Sequence, residues 1–513
     1  MKDIKMKLLK VVILLMVSCA VCFAQDQKLD KYYYMMNIGD TREIPAGNYV
    51  SSDEKVAVIK DNRVRAIANG DCLVYVVVDG KQTEFAHVTI GWQVQNPVLP
   101  YSWKMYIPDN EAHVFDGKLY VSGSLDASRV YCSPYIVPVM TADMKQWSSN
   151  GVAFSSFDEG NVFKGKNLWG SDVHYYNGKY LLYGAYEWNG EGRETNFYVV
   201  ESDSPTGAFK RFRWVTGSKT KKNIDGITPK IFVEKDGTRY IVWEPTLQPV
   251  KDNYLMVAKL LADDVIDEES MTNIGKLKDF YEGPSIRKRG NIYYLVYNEN
   301  CGTITPKNHT PKRLSYATSE NIMGPYIYRG IILTIENIAG NTNIQGSIEQ
   351  FNGEWYVFYH RAINSVWNKR ALCVEKIEFD KNGLIIPVVP TSSGASEGLN
   401  TTLPVWFNSA VYGNNYRFTD EGKYGNILIN GVAEIGFRYI AFNGNEKQIT
   451  LQGSGLENIV YVKVIANGQT IGNVAGNNPI ELKEVPKGKI ELSLLITTNG
   501  DVRLETFRFD SQK

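Results

Sequence analysis

An all-β chain, with a repeating blade domain between two β-sandwiches, is what this sequence predicts, and three observations predict it. Aromatic residues reach 12%, led by 32 Tyr, and 44 Gly outnumber 19 Pro, a mix suited to short strands joined by tight turns. A hairpin signature recurs through the middle of the chain at intervals of about sixty residues. On either side of that repeat, alternating apolar runs are separated by Asp, Asn and Gly. The length of 513 residues exceeds one ordinary domain. Hydrophobic (43%) and charged (22%) fractions exclude a largely disordered or collagen-like chain. Lys+Arg and Asp+Glu balance at 56 each, so no basic excess drives phosphate binding and no nucleic-acid partner is expected.

Residues 1–24 read as a signal peptide. Lys2, Lys5, Lys7 and Lys10 precede the apolar run Val11 to Phe23, and Cys22-Phe23-Ala24 stands before Gln25. A charged start, an apolar stretch and a small-residue cleavage site imply export, to the periplasm or outside the cell. Met16-Val17-Ser18-Cys19 resembles a bacterial lipobox, and the alternative is an outer-membrane lipoprotein held through Cys19. The run is shorter than the roughly 20 residues a bilayer span demands, and no transmembrane segment is expected after cleavage. The mature chain keeps Cys72, Cys132, Cys301 and Cys373, far apart and without a CxxC pair. That spacing favours buried free thiols over a zinc or redox site.

Residues 30–92 form the first sandwich. Val56-Ala57-Val58-Ile59, Val64-Arg65-Ala66-Ile67-Ala68 and Leu73 to Val78 are strand-like, with turns at Asp61-Asn62, Asn69-Gly70-Asp71 and Asp79-Gly80. Ser51-Ser52-Asp53-Glu54-Lys55-Val56-Ala57-Val58 followed by Arg65 to Gly70 resembles the bacterial Ig-like family of the second type. The resemblance implies a spacer without chemistry.

Residues 96–390 hold the repeat. Phe115-Asp116-Gly117-Lys118-Leu119-Tyr120-Val121 returns as Tyr176-Asn177-Gly178-Lys179-Tyr180-Leu181-Leu182, and then around Asp236-Gly237, Gly290-Asn291 and Asn352-Gly353. Asp-Gly, Asn-Gly or Gly-Asn between alternating apolar strands is a hairpin signal. A period with room for about four strands means propeller blades, and the count predicts five.

After a Ser/Gly-rich joint at Thr391 to Leu399, residues 400–513 form the second sandwich, of jelly-roll type, with strands at Gln448 to Gln452, Val460 to Ile465 and Lys489 to Leu495. Gly436-Phe437-Arg438-Tyr439-Ile440-Ala441-Phe442, with Gly468-Gln469-Thr470-Ile471-Gly472, resembles family-6-type carbohydrate-binding modules.

Polar residues just before a blade's first strand can converge on the central channel. Those positions carry Asp109, Asp172, Asp225, Glu282 and Gln345 in blades 1 to 5. Carboxylates on different blades suit glycosidic hydrolysis by inversion, in which one activates water and a protonated one serves the leaving oxygen, about 6.5–9.5 Å apart. A third acid nearby would raise the proton donor's pKa. Asp225 is read as structural, satisfying turn amides.

Here the middle of the chain resembles glycoside hydrolase family 43, the inverting five-bladed clan, through Trp169-Gly170-Ser171-Asp172, Glu282-Gly283-Pro284 and Trp355-Tyr356-Val357-Phe358-Tyr359-His360-Arg361. The resemblance implies Asp109 as general base, Glu282 as general acid and Asp172 as the acid that tunes Glu282 and orients substrate. It also implies substrate contacts from Trp169, His360, Arg361 and Gln345. Trp103, Trp169 and Trp188 offer faces for sugar stacking, with blade cores the commoner place for such rings. Two departures stand out: Asn110 replaces the Pro that often follows the base, and Gln345 replaces a fifth-blade His that helps hold a central ion. No cofactor or metal is required on this reading, although an amide oxygen can still ligand a Ca²⁺ in the channel.

The chain is read as a monomeric exo-glycosidase acting on plant-type polysaccharide or oligosaccharide, and the resemblance implies α-L-arabinofuranose or β-xylose as the sugar released. Alternatives on the same fold are a β-galactofuranosidase or an endo-arabinanase; from another class, a non-catalytic carbohydrate-binding propeller. The sequence has no Ser-x-Asp-x-Gly-x-Thr-Trp boxes, Gly-x-Ser-x-Gly elbow or His-Glu-x-x-His, which argues against sialidase, serine hydrolase and zinc protease chemistry.

Overall fold

The computed structural model describes residues 30–511 apart from 94, 127–131, 159–166, 188–194, 246–253, 301–310, 337–342, 363–368, 399–402, 405–409, 414–415 and 420–424. The signal segment with Cys19, Trp188 and Cys301 lie outside the described residues. Among those described, no helix is long and apolar enough to cross a membrane.

Five blades make the centre. Blade 1 steps outward through Glu111–Phe115, Lys118–Ser122, Val139–Thr141 and Trp147–Ser149, all antiparallel. Blades 2, 3 and 4 are four-stranded and begin on Leu168–Tyr176, Ile227–Val233 and Ser285–Arg289. Blade 5 has three strands, beginning on Gly346–Phe351. Asp116-Gly117, Asn177-Gly178 and Asn352-Gly353 turn with positive φ at both residues, the pair of left-handed conformations a two-residue hairpin needs. Alternation along each strand turns apolar side chains toward the next blade. Tyr183, Phe197, Ile231 and Trp243 fill the space between blades 2 and 3; Tyr294, Tyr316, Ile348 and Val357 do so between blades 4 and 5.

The ring closes on its own N-terminal segment. Val98 N–H donates to the Leu372 carbonyl at 2.8 Å. The Asn96 side chain accepts from Val374 N–H at 2.8 Å and donates to the Val374 carbonyl at 3.0 Å. The last strand of blade 5, Arg370–Ile377, thereby gains a partner that begins the propeller.

Residues 32–90 build two sheets around Tyr34, Val64, Val74, Ala86 and Val88. The larger sheet continues into the propeller, because Tyr33 and Tyr34 pair with Ser149 and Ser148 at the outer edge of blade 1. An unpaired blade edge carries free N–H and C=O groups, and here they are used. The spacer expected from the sequence is thus hydrogen-bonded into the blade.

The C-terminal part is a six-stranded and a five-stranded sheet enclosing Ile435, Phe437, Ile449, Val464, Leu494 and Phe507. Its Ser/Gly-rich joint is fixed in place. Ser392 and Ser393 are buried, Ser393 N–H donates to the Arg438 carbonyl at 2.8 Å, and Arg438 N–H donates to Ser392 Oγ at 3.1 Å. Cys72, Cys132 and Cys373 are buried free thiols.

Candidate active site

Asp109 precedes the innermost strand of blade 1 with φ 57, a left-handed conformation that Asp tolerates better than most residues. The preceding Pro108 carbonyl passes so close to Gly123 that a Cβ there would meet its oxygen at 2.1 Å. Asn110 closes this turn by donating from Nδ2 to the Ile107 carbonyl at 2.5 Å. Arg370, fully buried at the start of the last blade strand, places Nη1 3.1 Å from Asp109 Oδ1. Its Nε and Nη2 each donate to an oxygen of buried Asp126 at 2.9 Å. Burial alone would raise the Asp109 carboxyl; the charge of Arg370 and a hydrogen bond from Ser124 bring it below the usual range. Asp109 N–H donates to His360 Nδ1 at 3.0 Å, and His360 Nε2 stands 3.2 Å from Asn343 Oδ1. These contacts suit a neutral ring, and burial together with the Arg370 charge pushes His360 down to about 3.

Glu282 stands before the innermost strand of blade 4, its carbonyl accepting Asn298 N–H at 3.0 Å. Gly283 follows with φ 72, and a Cβ there would strike the Gln345 side chain at 2.3 Å. Glycine therefore lets the blade 5 amide pack against the backbone beside the acid. Burial and the negative charge of Asp109 raise Glu282 to about 7, with Arg370 opposing. A second buried acid, Glu244, ends the second strand of blade 3. It accepts from Thr228 Oγ1 at 3.0 Å and from Gly283 N–H. Burial and the Glu282 charge push Glu244 well above the usual range. Two carboxyls this close in a dry site cannot both ionise readily.

Asp172 is not the acid beside Glu282. Counted back from the first residue of each hairpin turn, Asp109 and Gln345 stand seven residues away and Glu282 eight, but Asp172 only five. A register shift between Trp169 and Asp172 hides the offset, and Gly170 occupies the level of Asp109. Two residues along a strand amount to about 7 Å, so Asp172 lies deeper in the channel. Its oxygens meet His113 Nε2 at 2.7 Å and His174 Nε2 at 3.0 Å, and Oδ2 also accepts Ile231 N–H at 2.8 Å. Around it, Glu111 pairs with Lys230 at 3.1 Å and Arg287 at 2.8 Å, and Arg287 pairs with Glu349 at 2.7 Å.

Arg361 also departs from expectation. Residues alternate across a strand, and with His360 facing Asp109, Arg361 turns the other way and donates to the Asn96 carbonyl at 3.0 Å. Trp169 packs half-buried against the core between blades 2 and 3. Trp103 is buried, with Nε1 donating to Thr89 Oγ1 at 2.9 Å. Asp225 accepts Thr195 N–H at 3.3 Å. Sequence reading missed Glu244, Asp126 and Arg370. Glu244 ends and Arg370 begins an otherwise largely apolar strand, while Asp126 lies in the segment after Lys118–Ser122 and carried no such signal.

At the fifth-blade position, Gln345 packs Cγ, Cδ and Nε2 of its side chain closest to Gly283.

Several known proteins are similar to this chain. A "Xylosidase/arabinosidase" of Thermoclostridium stercorarium is 26% identical over 464 residues, covering 76% of this chain and 91% of that protein. A "Xylosidase/arabinosidase" of Bacteroides ovatus is 27% identical over 333 residues, covering 55% and 95%. The crystal structure of a family 43 arabinoxylan arabinofuranohydrolase from Bacillus subtilis is similar with a TM-score of 0.46 at 19% identity, covering 80% of this chain and 96% of that one. The model of "Glycosyl hydrolases family 43" matches residues 94–385, more than half of the sequence. The chain belongs to glycosyl hydrolase family 43.

Proposed function

We propose that this glycoside hydrolase removes terminal α-L-arabinofuranosyl or β-xylosyl units from plant-type polysaccharides or oligosaccharides, with inversion at the anomeric carbon. One observation carries the mechanism: two acids of different blades share a site in which Asp109 is held ionised and Glu282 is raised to about 7. An ionised carboxylate and a protonated one are the pair that inversion needs. Asp109 takes a proton from water as the water oxygen bonds to the anomeric carbon. Glu282 gives its proton to the departing oxygen as the glycosidic bond breaks. Glu244 keeps a second ionisable carboxyl against Glu282 and accepts the N–H of the following residue, holding the acid in place. Gln345, whose side chain packs on Gly283 beside the acid, meets the sugar on this reading. The choice of pentose is supported by the names of the relatives from Thermoclostridium stercorarium and Bacteroides ovatus.

The remaining parts suit an exported polysaccharide-degrading enzyme. The charged start and apolar run of residues 1–24 support secretion. The two-sheet N-terminal part supports the Ig-like reading, and the C-terminal sandwich supports the carbohydrate-binding-module reading. A panel of nitrophenyl glycosides, scored for the sugar released, tests the substrate. Proton NMR of the first-released anomer tests inversion. Release of another sugar, or retained configuration, would overturn the corresponding half of the proposal.

A further inference from the structure

Beneath the level of Asp109, the inner strands of the first two blades bring three donor side chains together. His113, His174 and Asp172 each present one ligand atom, all within 4.8 Å of one another. Each imidazole faces a different oxygen of the one carboxylate, at 2.7 and 3.0 Å, and the two rings meet edge to face with centroids 4.4 Å apart. We propose that His113, Asp172 and His174 bind one divalent transition-metal ion of the zinc class, tying blade 1 to blade 2.

Tetrahedral zinc with bonds of about 2.0–2.2 Å sets its ligand atoms about 3.3 Å apart. The two histidine–carboxylate separations, 2.7 and 3.0 Å, lie close to that, and all the ligand atoms stay within 4.8 Å of one another. Two imidazoles and one carboxylate favour zinc-like ions over Ca²⁺ or Mg²⁺. The surroundings are those of a supported site. Asp172 Oδ2 is anchored by Ile231 N–H, and Glu349 Oε2 stands 3.9 Å from His113 Nδ1, on the ring edge away from Asp172. A carboxylate behind a ligating histidine, fixing its tautomer, recurs in metal sites.

A cation at His113 Nε2 would leave Nδ1–H directed toward Glu349 Oε2, 3.9 Å away. Arg287 and Lys230 also face this part of the channel, but each is paired, Lys230 with Glu111 and Arg287 with both Glu111 and Glu349.

Binding is read without substrate, independently of the glycosidase proposal. The full chain is stripped with a chelator and titrated with Zn²⁺ alone against a chromophoric competitor. One equivalent is expected per chain. His113→Ala and His174→Ala should each weaken binding at least about 100-fold, and Glu349→Gln about tenfold or more. Zn²⁺ should raise the melting temperature of the unaltered protein and not that of His174→Ala. Co²⁺ in the unaltered protein should give the intense visible band of a tetrahedral site, a readout that needs no variant to fold. Absence of saturable Zn²⁺ binding, binding undiminished in both folded alanine variants, or a weak six-coordinate Co²⁺ spectrum would overturn the proposal.

Discussion

Arg370 and Asp109 meet at 3.1 Å although they come from the last and first blades. The same guanidinium holds both oxygens of Asp126, so one cation orders two acids across the closure of the ring. Closing the propeller and charging the proposed base are therefore one structural event.

Replacing Arg370 by Met tests that link. Both acids would be left buried without their cation, and breaking a buried pair costs about 3–5 kcal/mol. Urea denaturation should show a loss of that size. A stability equal to wild type would mean that the acids find other partners.

Asp109→Asn and Glu282→Gln should each lower kcat by about 10²–10⁴-fold on a natural pentoside, with circular dichroism unchanged. For Glu282→Gln the loss should shrink on a dinitrophenyl glycoside, whose leaving group needs little protonation. Asp109→Asn should lose activity on both substrates alike. Near-wild-type rates in either variant would remove that residue from the mechanism.

The pH dependence of kcat/KM should be bell-shaped. Asp109 is ionised from below the usual carboxylate range upward, and Glu282 loses its proton at about 7. Activity should thus hold through mildly acid pH and fall as pH rises through about 7. A rate rising up to pH 9 would contradict the assignment of Glu282 as proton donor.

Glu244→Ala removes the acceptor for Gly283 N–H and for Thr228 Oγ1. Displacing the neighbouring acid by about 1 Å can cost about 10²-fold, so kcat should fall by up to that factor. Glu244→Gln keeps an accepting oxygen and should recover most of it. Equal activity in the alanine variant would show that Glu282 is positioned without Glu244.

Glu375 accepts Thr391 N–H at 2.7 Å and Thr391 Oγ1 at 2.8 Å, and burial raises it to about 7. A folded-state pKa above the unfolded value means the folded protein binds the extra proton, so its stabilising effect is complete at acid pH and is lost as pH rises through about 7. Glu375→Gln should lessen the fall in melting temperature between pH 5 and pH 8. An unchanged slope would place that pH dependence in other groups.

Much of the site was legible because its signals are local. Asp-Gly, Asn-Gly and Gly-Asn turns mark the blades' first hairpins, and they locate Asp109, Glu282 and Gln345 just ahead of innermost strands. Asp172 shows where such counting stops: an irregularity after Trp169 moved it one inward-facing step down the channel, to two histidines instead of Glu282. Arg361 shows the same at strand level, since His360 already occupies the site-facing side.

By itself the sequence determined the all-β class, the repeat of blades and the flanking sandwiches, because turn chemistry and two-residue alternation act between neighbours in the chain. Only the tertiary structure decided that Glu244 stands by Glu282, that Arg370 joins Asp109 to Asp126, and that Tyr33 and Tyr34 extend blade 1. Those relations depend on which remote strands the ring brings side by side, and on burial that makes each charge felt.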